Sequence, residues 1–476
     1  MTVAQPAGAT LVVTAPISVV PRQPCVRPAV STRPLRHLRW TLAATLVVGV
    51  GALAPLATLR TLAGTDGATL TAPPGYLALA PWLALLDAVT LRGSRELVAI
   101  AITLVVLVAL HTARGRRRAG CPCGIGWWAR HALLGVGAIG TLATLLMIAC
   151  IVPRPARRLV VHDEALVRLD AHAHTAGSWD ARRGFDVATR RAWTAAAGFD
   201  VAYVTDHRST RGAAEGLRTN PVRAGDGPVL LPGLELVWRG THVNLLGLPP
   251  ADSLVGVANA LDSLGWFGLI ARRDDAPLML LTIPAKAPAL AAGVPGVEAI
   301  ELHDGSPKGL DARQRLDTLY TRLAREGGWT GLAGSDHHGW GDAAGAWSLV
   351  RVRGWRDMTP ADLDVALRRA IRAGRVSTVE RTLVSRTLGP VAVALTVPRV
   401  VAVTVRQLTP AERLAWIAWA ACADVLGALA TLRLAARWRH AWQRRAVRRV
   451  LRRRRAFGGT TPRGRPPALP GTARVA

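Results

Sequence analysis

The chain has 476 residues, half of them hydrophobic and 19% charged, which is long enough for two or three domains and too apolar for a wholly soluble or disordered protein. Its net charge of +29 sits on the flanks: residues 162–385 carry 26 basic and 26 acidic side chains, whereas the remainder carries 34 basic and five acidic ones. A nucleic-acid binder should carry its positive patch on the folded domain, so arginine clusters beside apolar runs point to membrane orientation instead, and no nucleic-acid partner is expected.

Residues 1–39 form a basic tail whose first 25 residues lack the pattern of a cleaved signal. Residues 40–59 are uncharged over the 20 or so positions that a bilayer core of about 30 Å requires, and read as a first anchor. Residues 76–91, which hold Pro81 and Asp87, read as interfacial. A second span covers residues 97–113, closed by Arg114, Arg116, Arg117 and Arg118, and a third covers residues 131–153. Beyond the central segment, residues 388–405 are broken by Pro390, Pro398 and Arg399, so the stretch 387–413 reads as a β-rich connection. Residues 414–432 make a fourth span, in which Asp424 must face a partner helix. The Arg-rich tail, residues 433–476, places Leu434, Trp438, Trp442, Val447 and Leu451 at near-helical spacing, as a basic amphipathic helix on anionic lipids would. Four spans put every arginine cluster on one side. The prediction is an integral protein of a bacterial inner membrane, contacting membrane lipids, with both termini cytoplasmic and residues 154–386 outside the cytoplasm. All five cysteines lie outside that segment, so no disulfide staples it, and Cys121-Pro-Cys123 reads as a loop.

Within residues 154–386, short apolar runs end repeatedly on imidazoles or carboxylates. Residues 166–169 lead to Asp170, His172 and His174; residues 201–204 lead to Asp206 and His207; residues 229–234 lead to Glu235. His242 precedes residues 243–248, residues 278–283 form a buried-type strand, residues 297–302 lead to His303, and residues 331–333 lead to Asp336, His337 and His338. Helical stretches at residues 187–197 and 312–326 alternate with these runs, so the reading is alternating β and α. Polar residues converging at the ends of successive strands are where a (β/α) barrel builds its site, and imidazoles with carboxylates suit a multi-metal hydrolytic centre.

Four motifs carry a resemblance: Asp170-Ala-His172-Ala-His174-Thr175; Gly198-Phe-Asp200 through Thr205-Asp206-His207; Pro232-Gly-Leu-Glu235 followed by His242 and Leu246-Gly247-Leu248; and Gly334-Ser335-Asp336-His337-His338. In this order they resemble the polymerase and histidinol phosphatase (PHP) domain. The resemblance implies an α/β fold, a distorted seven-stranded (β/α) barrel, here flanked by transmembrane helices, with two or three divalent ions such as Zn, Mn or Fe. Carried over by position, His172, His174, Glu235 and Asp336 would hold one ion, Glu235 and His242 a second, and His207, His338 and Asp180 a third. Asp180 stands one place later than in the family pattern. A sharper departure is Ile283, where the family carries a metal-binding histidine. The second site is then impaired, or His303 replaces the lost ligand, or Glu301 and His303 simply pair with each other. His337 is expected to face solvent, and His162 to play no part.

The function implied is a membrane-anchored phosphoesterase that hydrolyses a small phosphomonoester or phosphodiester with metal-activated water. Arg208 and Lys308 are candidates to clamp phosphoryl oxygens, and Asp206 to orient an imidazole. The alternative is a catalytically degenerate PHP domain acting as a ligand-binding or sensor module, which Ile283 favours. Hydrolysis of a carbon ester or amide would use the same residues.

Overall fold

The computed structural model describes residues 38–63, 67–119, 125–238, 241–250, 276–282, 296–312, 322, 326, 328–382 and 389–457. Ile283 and the cysteine pair at 121 and 123 lie outside the described residues. The chain divides into two compact units, Trp40–Ala423 and a second made of Met1–Arg39 with Asp424–Ala476; the described part of the second is almost entirely helical.

In chain order the elements are α1 (Arg39–Leu53), β1 (Leu59–Ala63), β2 (Ala68–Thr71), α2 (Pro74–Ala78), α3 (Ala80–Thr90), α4 (Ser94–Ala119), α5 (Ile125–Ile151), β3 (Arg158–Val161) and β4 (Leu166–Ala173). Then come α6 (Val187–Ala196), β5 (Val201–Val204), α7 (Arg211–Arg218), β6 (Val229–Trp238), β7 (Thr241–Leu246), β8 (Leu278–Leu281), β9 (Val297–Asp304) and β10 (Thr330–Gly334). The chain continues through β11 (Ala346–Arg351), α8 (Pro360–Arg372), β12 (Val376–Arg381), α9 (Gly389–Arg406) and α10 (Pro410–Phe457).

One ten-stranded sheet runs β1-β12-β11-β4-β5-β6-β7-β8-β9-β10, and β2 pairs separately with β3. Its seven consecutive strands β4 to β10 curl until the ends meet: Ala173 bridges in parallel to His337, and the Asp336 N–H donates to the His172 carbonyl at 2.9 Å. The result is a mixed α/β fold around a curled ten-stranded half-barrel sheet, which departs from the expected seven-stranded (β/α) barrel: the pairs β6–β7 and β7–β8 are antiparallel and three further strands extend the sheet from β4. One of them, β1, comes from the segment read as spans and loops, and pairs Leu59 with Arg381. The sheet domain thus draws on residues well before 154.

Alternation along β4 decides which residues enter the site. Val167, Leu169 and Ala171 belong to the main core, whereas Ala173 packs on the other side with Val187 of α6 and Ala213 of α7. The register shift between Asp170 and Ala173 causes this switch, turning His172 and His174 inward; bulges commonly re-aim side chains beside sites. The opposite end of the barrel is filled from α8, capped by Thr359 and started by Pro360, whose stripe Leu363, Leu367 and Ile371 shares a core with Val201, Val229 and Leu278. Truncating one such leucine to alanine costs about 2–5 kcal/mol.

Among the described residues, three helices are long and apolar enough to cross a membrane: α4 over Ser94–Arg114, α5 over Trp128–Ile148, and α10 over Pro410–Arg449. The span expected at residues 40–59 is corrected. Its helix has 15 residues, about 22 Å at 1.5 Å each, and the chain then leaves it to pair β1 with β12. The β-rich connection is corrected as well, because residues 389–406 form a helix. Thr396, Val400 and Thr404 are buried at four-residue spacing, a helical stripe that outweighs the β preference of its valines. The segment 76–91 forms α2 and α3, whose Asp87 is fully buried between Arg154 and Arg381.

Candidate metal centre

The site gathers where β4, β5, β6, β7 and β10 end or begin. Glu235 lies in β6, with one oxygen 3.1 Å from His172 Nε2, 3.2 Å from His174 Nε2 and 3.5 Å from His207 Nδ1, and its other oxygen hydrogen-bonded to His242. Asp336 Oδ1 lies 3.2 Å from His172 Nε2 and 3.1 Å from His174 Nε2. Asp180 Oδ2 lies 3.3 Å from both His207 Nε2 and His338 Nε2. All eight residues expected as ligands converge, and three of their groupings have donor atoms close enough to share an ion: His172, His174 and Asp336; His174, His207 and His338; His207, Glu235 and His242.

Local backbone explains the aim of two of these groups. Among the described residues, Asp336 and Arg208 are the non-glycine residues with positive φ, 43° and 53°, a conformation that costs energy and that the surrounding site holds in place. At Asp336 the turn brings the carboxylate back over both β4 imidazoles. His338 Nδ1 is tied to the Asp336 carbonyl at 2.8 Å, while its buried Nε2 has no hydrogen-bond partner. An imidazole anchored through one nitrogen, with the other facing the Asp180 carboxylate, suits a metal ligand. Imidazole and carboxylate donors in such number fit divalent metal ions.

The electrostatics favour cation binding. Burial alone would raise the Glu235 carboxyl, but the facing imidazoles of His172, His174 and His242 hold it well below the usual carboxylate range. Burial would likewise lower His174, yet Asp336 and Glu235 reverse this and raise it to about 9; His172 is raised well above its ordinary value by Glu235, Asp336 and Glu301. His207, for which burial dominates, falls to about 4. The carboxylates of Glu235 and Asp336 thus attract positive charge to the His172 and His174 rings.

Several expected roles shift. Asp206 orients no imidazole; it accepts from the Thr175 N–H and Oγ1, both at 2.6 Å, and so fixes the turn after His174. His303 does not turn toward the ligands. The register between β9 and β10 skips Leu302, and His303 Nδ1 meets Glu380 of β12 at 3.1 Å, so neither the replacement-ligand nor the Glu301–His303 pairing reading holds. His337 is buried, not solvent-facing: its ring stacks on Trp193 at 4.0 Å and 11°, and Nε2 meets the Gly341 carbonyl at 2.8 Å. Arg208 and Lys308 are exposed, and so is His162.

Sequence reasoning did not assign the supporting contacts of three carboxylates. Glu301 is fully buried, with Oε1 3.1 Å from His172 Nδ1. Asp170 accepts from Ser335 N–H at 2.8 Å and Ser335 Oγ at 2.6 Å and pairs with the fully buried Arg190, clamping the first motif to the last. Asp304 is buried at the end of β9, and burial with nearby Asp336 and Glu301 pushes its carboxyl well up. The available signal was a carboxylate inside an apolar strand, which a fold tolerates only with a partner.

No family model matches the chain, and no curated protein does. Among solved structures, the chain is similar to a two-domain protein from Bacteroides vulgatus containing a predicted PHP-like metal-dependent phosphoesterase, at 16% identity over 45% of this chain and 65% of that one, with a TM-score of 0.29. It is also similar to PsfC from Pseudomonas syringae, at 19% identity over 49% and 96% of the two chains and a TM-score of 0.33. An amidohydrolase from Chromobacterium violaceum matches at 17% identity over 41% and 98%, with a TM-score of 0.28.

Proposed function

We propose that the chain is a metal-dependent phosphoesterase of the PHP type, anchored in a membrane by its long apolar helices, with the sheet domain on the non-cytoplasmic side. The observation that carries the reading is Glu235, a buried carboxylate within 3.5 Å of His172, His174 and His207 and hydrogen-bonded to His242. A purely structural glutamate needs one such partner.

His172, His174, Glu235 and Asp336 would hold one ion, His207, His338 and Asp180 another, and Glu235 would reach across to His242. Ions held there supply the charge that lowers the pKa of water toward neutrality and offsets charge on phosphoryl oxygens. Asp206 keeps the His174 turn in place, Glu301 keeps the His172 ring in place, and exposed Arg208 stands beside His207 where a phosphate oxygen can meet it. The arginines at 114–118 follow one candidate span and those from 433 onward lie along another, which supports a cytoplasmic side away from the sheet.

The test is metal content and turnover of the full chain in detergent, supplied with Mn or Zn. We expect two or more ions per chain by elemental mass spectrometry and hydrolysis in a screen of phosphomonoesters and phosphodiesters. Activity should vanish in His172→Ala and Asp336→Ala and persist in His162→Ala; equal loss in all three would sink the assignment. Ile283 favours the sensor reading, and metal retained without turnover on any ester would support that reading instead.

A further inference from the structure

The loops carrying Asp180 and His338 are fastened to the end of a candidate span. Helix α5 is apolar enough to cross a bilayer over Trp128–Ile148 and ends at Ile151, about 5 Å farther on at 1.5 Å per residue. The Arg182 guanidinium donates to the Ile151 carbonyl at 2.8 Å, and the Arg182 N–H donates to the His338 carbonyl at 2.8 Å. From the other loop, the Gly341 N–H donates to the Cys150 carbonyl at 2.8 Å, and the Asp342 carboxylate accepts the Arg154 N–H at 3.1 Å. One arginine side chain therefore separates the backbone of His338 from the end of α5.

Two tryptophans flank the ligands in these loops. Trp179 precedes Asp180, lies 6.1 Å from the His207 ring and is 82% exposed; Trp340, two residues after His338, is 47% exposed. A tryptophan that solvated gains little in water, whereas indoles concentrate at the headgroup level of membranes. Trp82 and Trp419, exposed and edge-to-face at 6.3 Å, belong to α3 and to the early turns of α10. Headgroup regions add about 5–8 Å to each side of the hydrocarbon core, the depth at which a lipid phosphate resides.

We propose that the substrate is an amphiphile, a phosphate ester whose phosphate is held at the bilayer surface by an acyl or prenyl anchor. This rests on the phosphoesterase reading and names its substrate class. Water adds through oxygen to phosphorus, the phosphorus–oxygen bond to the leaving alcohol breaks, and that alcohol takes the proton that the water gives up. Trp179 and Trp340 set the loops at headgroup depth, so the ester reaches the site by diffusing in the plane of the membrane.

The full chain, loaded with Mn, is reconstituted in phosphatidylcholine vesicles. It is offered phosphatidic acid, phosphatidylglycerol and a polyprenyl phosphate, each beside its anchor-free counterpart, and p-nitrophenyl phosphate. We expect at least one anchored ester to exceed its soluble counterpart about 10²-fold or more in rate at equal bulk concentration, because the membrane raises its local concentration. Hydrolysis of soluble esters without this preference overturns the proposal and leaves the phosphoesterase reading standing; no hydrolysis of any ester overturns both. A second readout needs no turnover. The emission lost in the Trp179→Phe, Trp340→Phe double variant should be quenched in vesicles of brominated phosphatidylcholine, and insensitivity to bromine would place the site off the surface and overturn the proposal.

Discussion

Glu301 holds His172 from behind: its Oε1 lies 3.1 Å from Nδ1, while Nε2 of the same ring faces Glu235 at 3.1 Å and Asp336 at 3.2 Å. A carboxylate behind a ligating imidazole fixes its tautomer and raises its basicity, and losing such a support typically costs about 10–100-fold in metal affinity. Glu301→Leu should show a loss of that size in a chelator-competition titration, with Glu301→Gln nearer the wild type because its amide oxygen can still accept. Unchanged affinity in Glu301→Leu would mean that the neighbouring rings alone orient His172.

Gly212 offers a reversal of the usual helix rule. Glycine to alanine within a helix ordinarily gains about 1 kcal/mol. Here a Cβ would stand 2.3 Å from both Asp206 Oδ2 and Thr175 Oγ1, the pair that fixes the turn after His174. Gly212→Ala should therefore lower the melting temperature and weaken metal binding, with a cost of about 1–3 kcal/mol. Stabilisation would show that α7 can shift away without disturbing the site.

Burial pushes the Asp342 carboxyl up to about 6, against the pull of Arg154. For an acid whose folded pKa exceeds its unfolded value of 3.8, the fold disfavours the ionised form. The penalty is absent below the unfolded pKa and complete above the folded one, so stability falls as pH rises from about 4 to about 6. The full penalty is about 3 kcal/mol at most. Asp342→Asn should narrow the gap in melting temperature between about pH 4.5 and about pH 7; an undiminished gap would assign the effect to other groups.

Membrane orientation can be read with reporters active only outside the cytoplasm. A fusion near residue 387 should be active and one at Ala456 inactive, and the reverse pattern would rule out the proposed topology. His337→Ala should destabilise the domain through the loss of its stack on Trp193, whereas His162→Ala should leave the melting temperature unchanged.

The cluster was legible because its groups fall in or close to short apolar strands, where sequence pattern is strongest: His172 and His174 at the end of β4, His207 shortly after β5, Glu235 within β6, His242 at the start of β7 and Asp336 shortly after β10. Their roles as ligands came from the resemblance of the four motifs, not from that placement. What escaped depends on contacts distant in sequence. The bulge that sends His303 to Glu380 lies in the register between two strands, and residue type alone cannot display register. His337 could not be told from its neighbour until Trp193 of α6 came to lie against it. The run at 388–405 misled because Pro398, which ordinarily breaks a helix, sits inside one here, whereas Pro390 falls in the first helical turn and the burial follows a helical period. Membrane length rules overextended α1, since uncharged Leu59 belongs to a strand that finds its partner only at Arg381.

That last pairing constrains the order of assembly. Arg60 of β1 bonds Glu380 of β12 across 320 residues of chain. At a synthesis rate of about 5–20 residues per second, β1 waits roughly 15–60 s for the strand that receives it. During that interval α4 and α5 are made, and so is every strand from β4 to β11. The first of the described strands to be synthesised is thus among the last to be paired, and until then its backbone remains an open edge that a chaperone or a neighbouring nascent chain can capture.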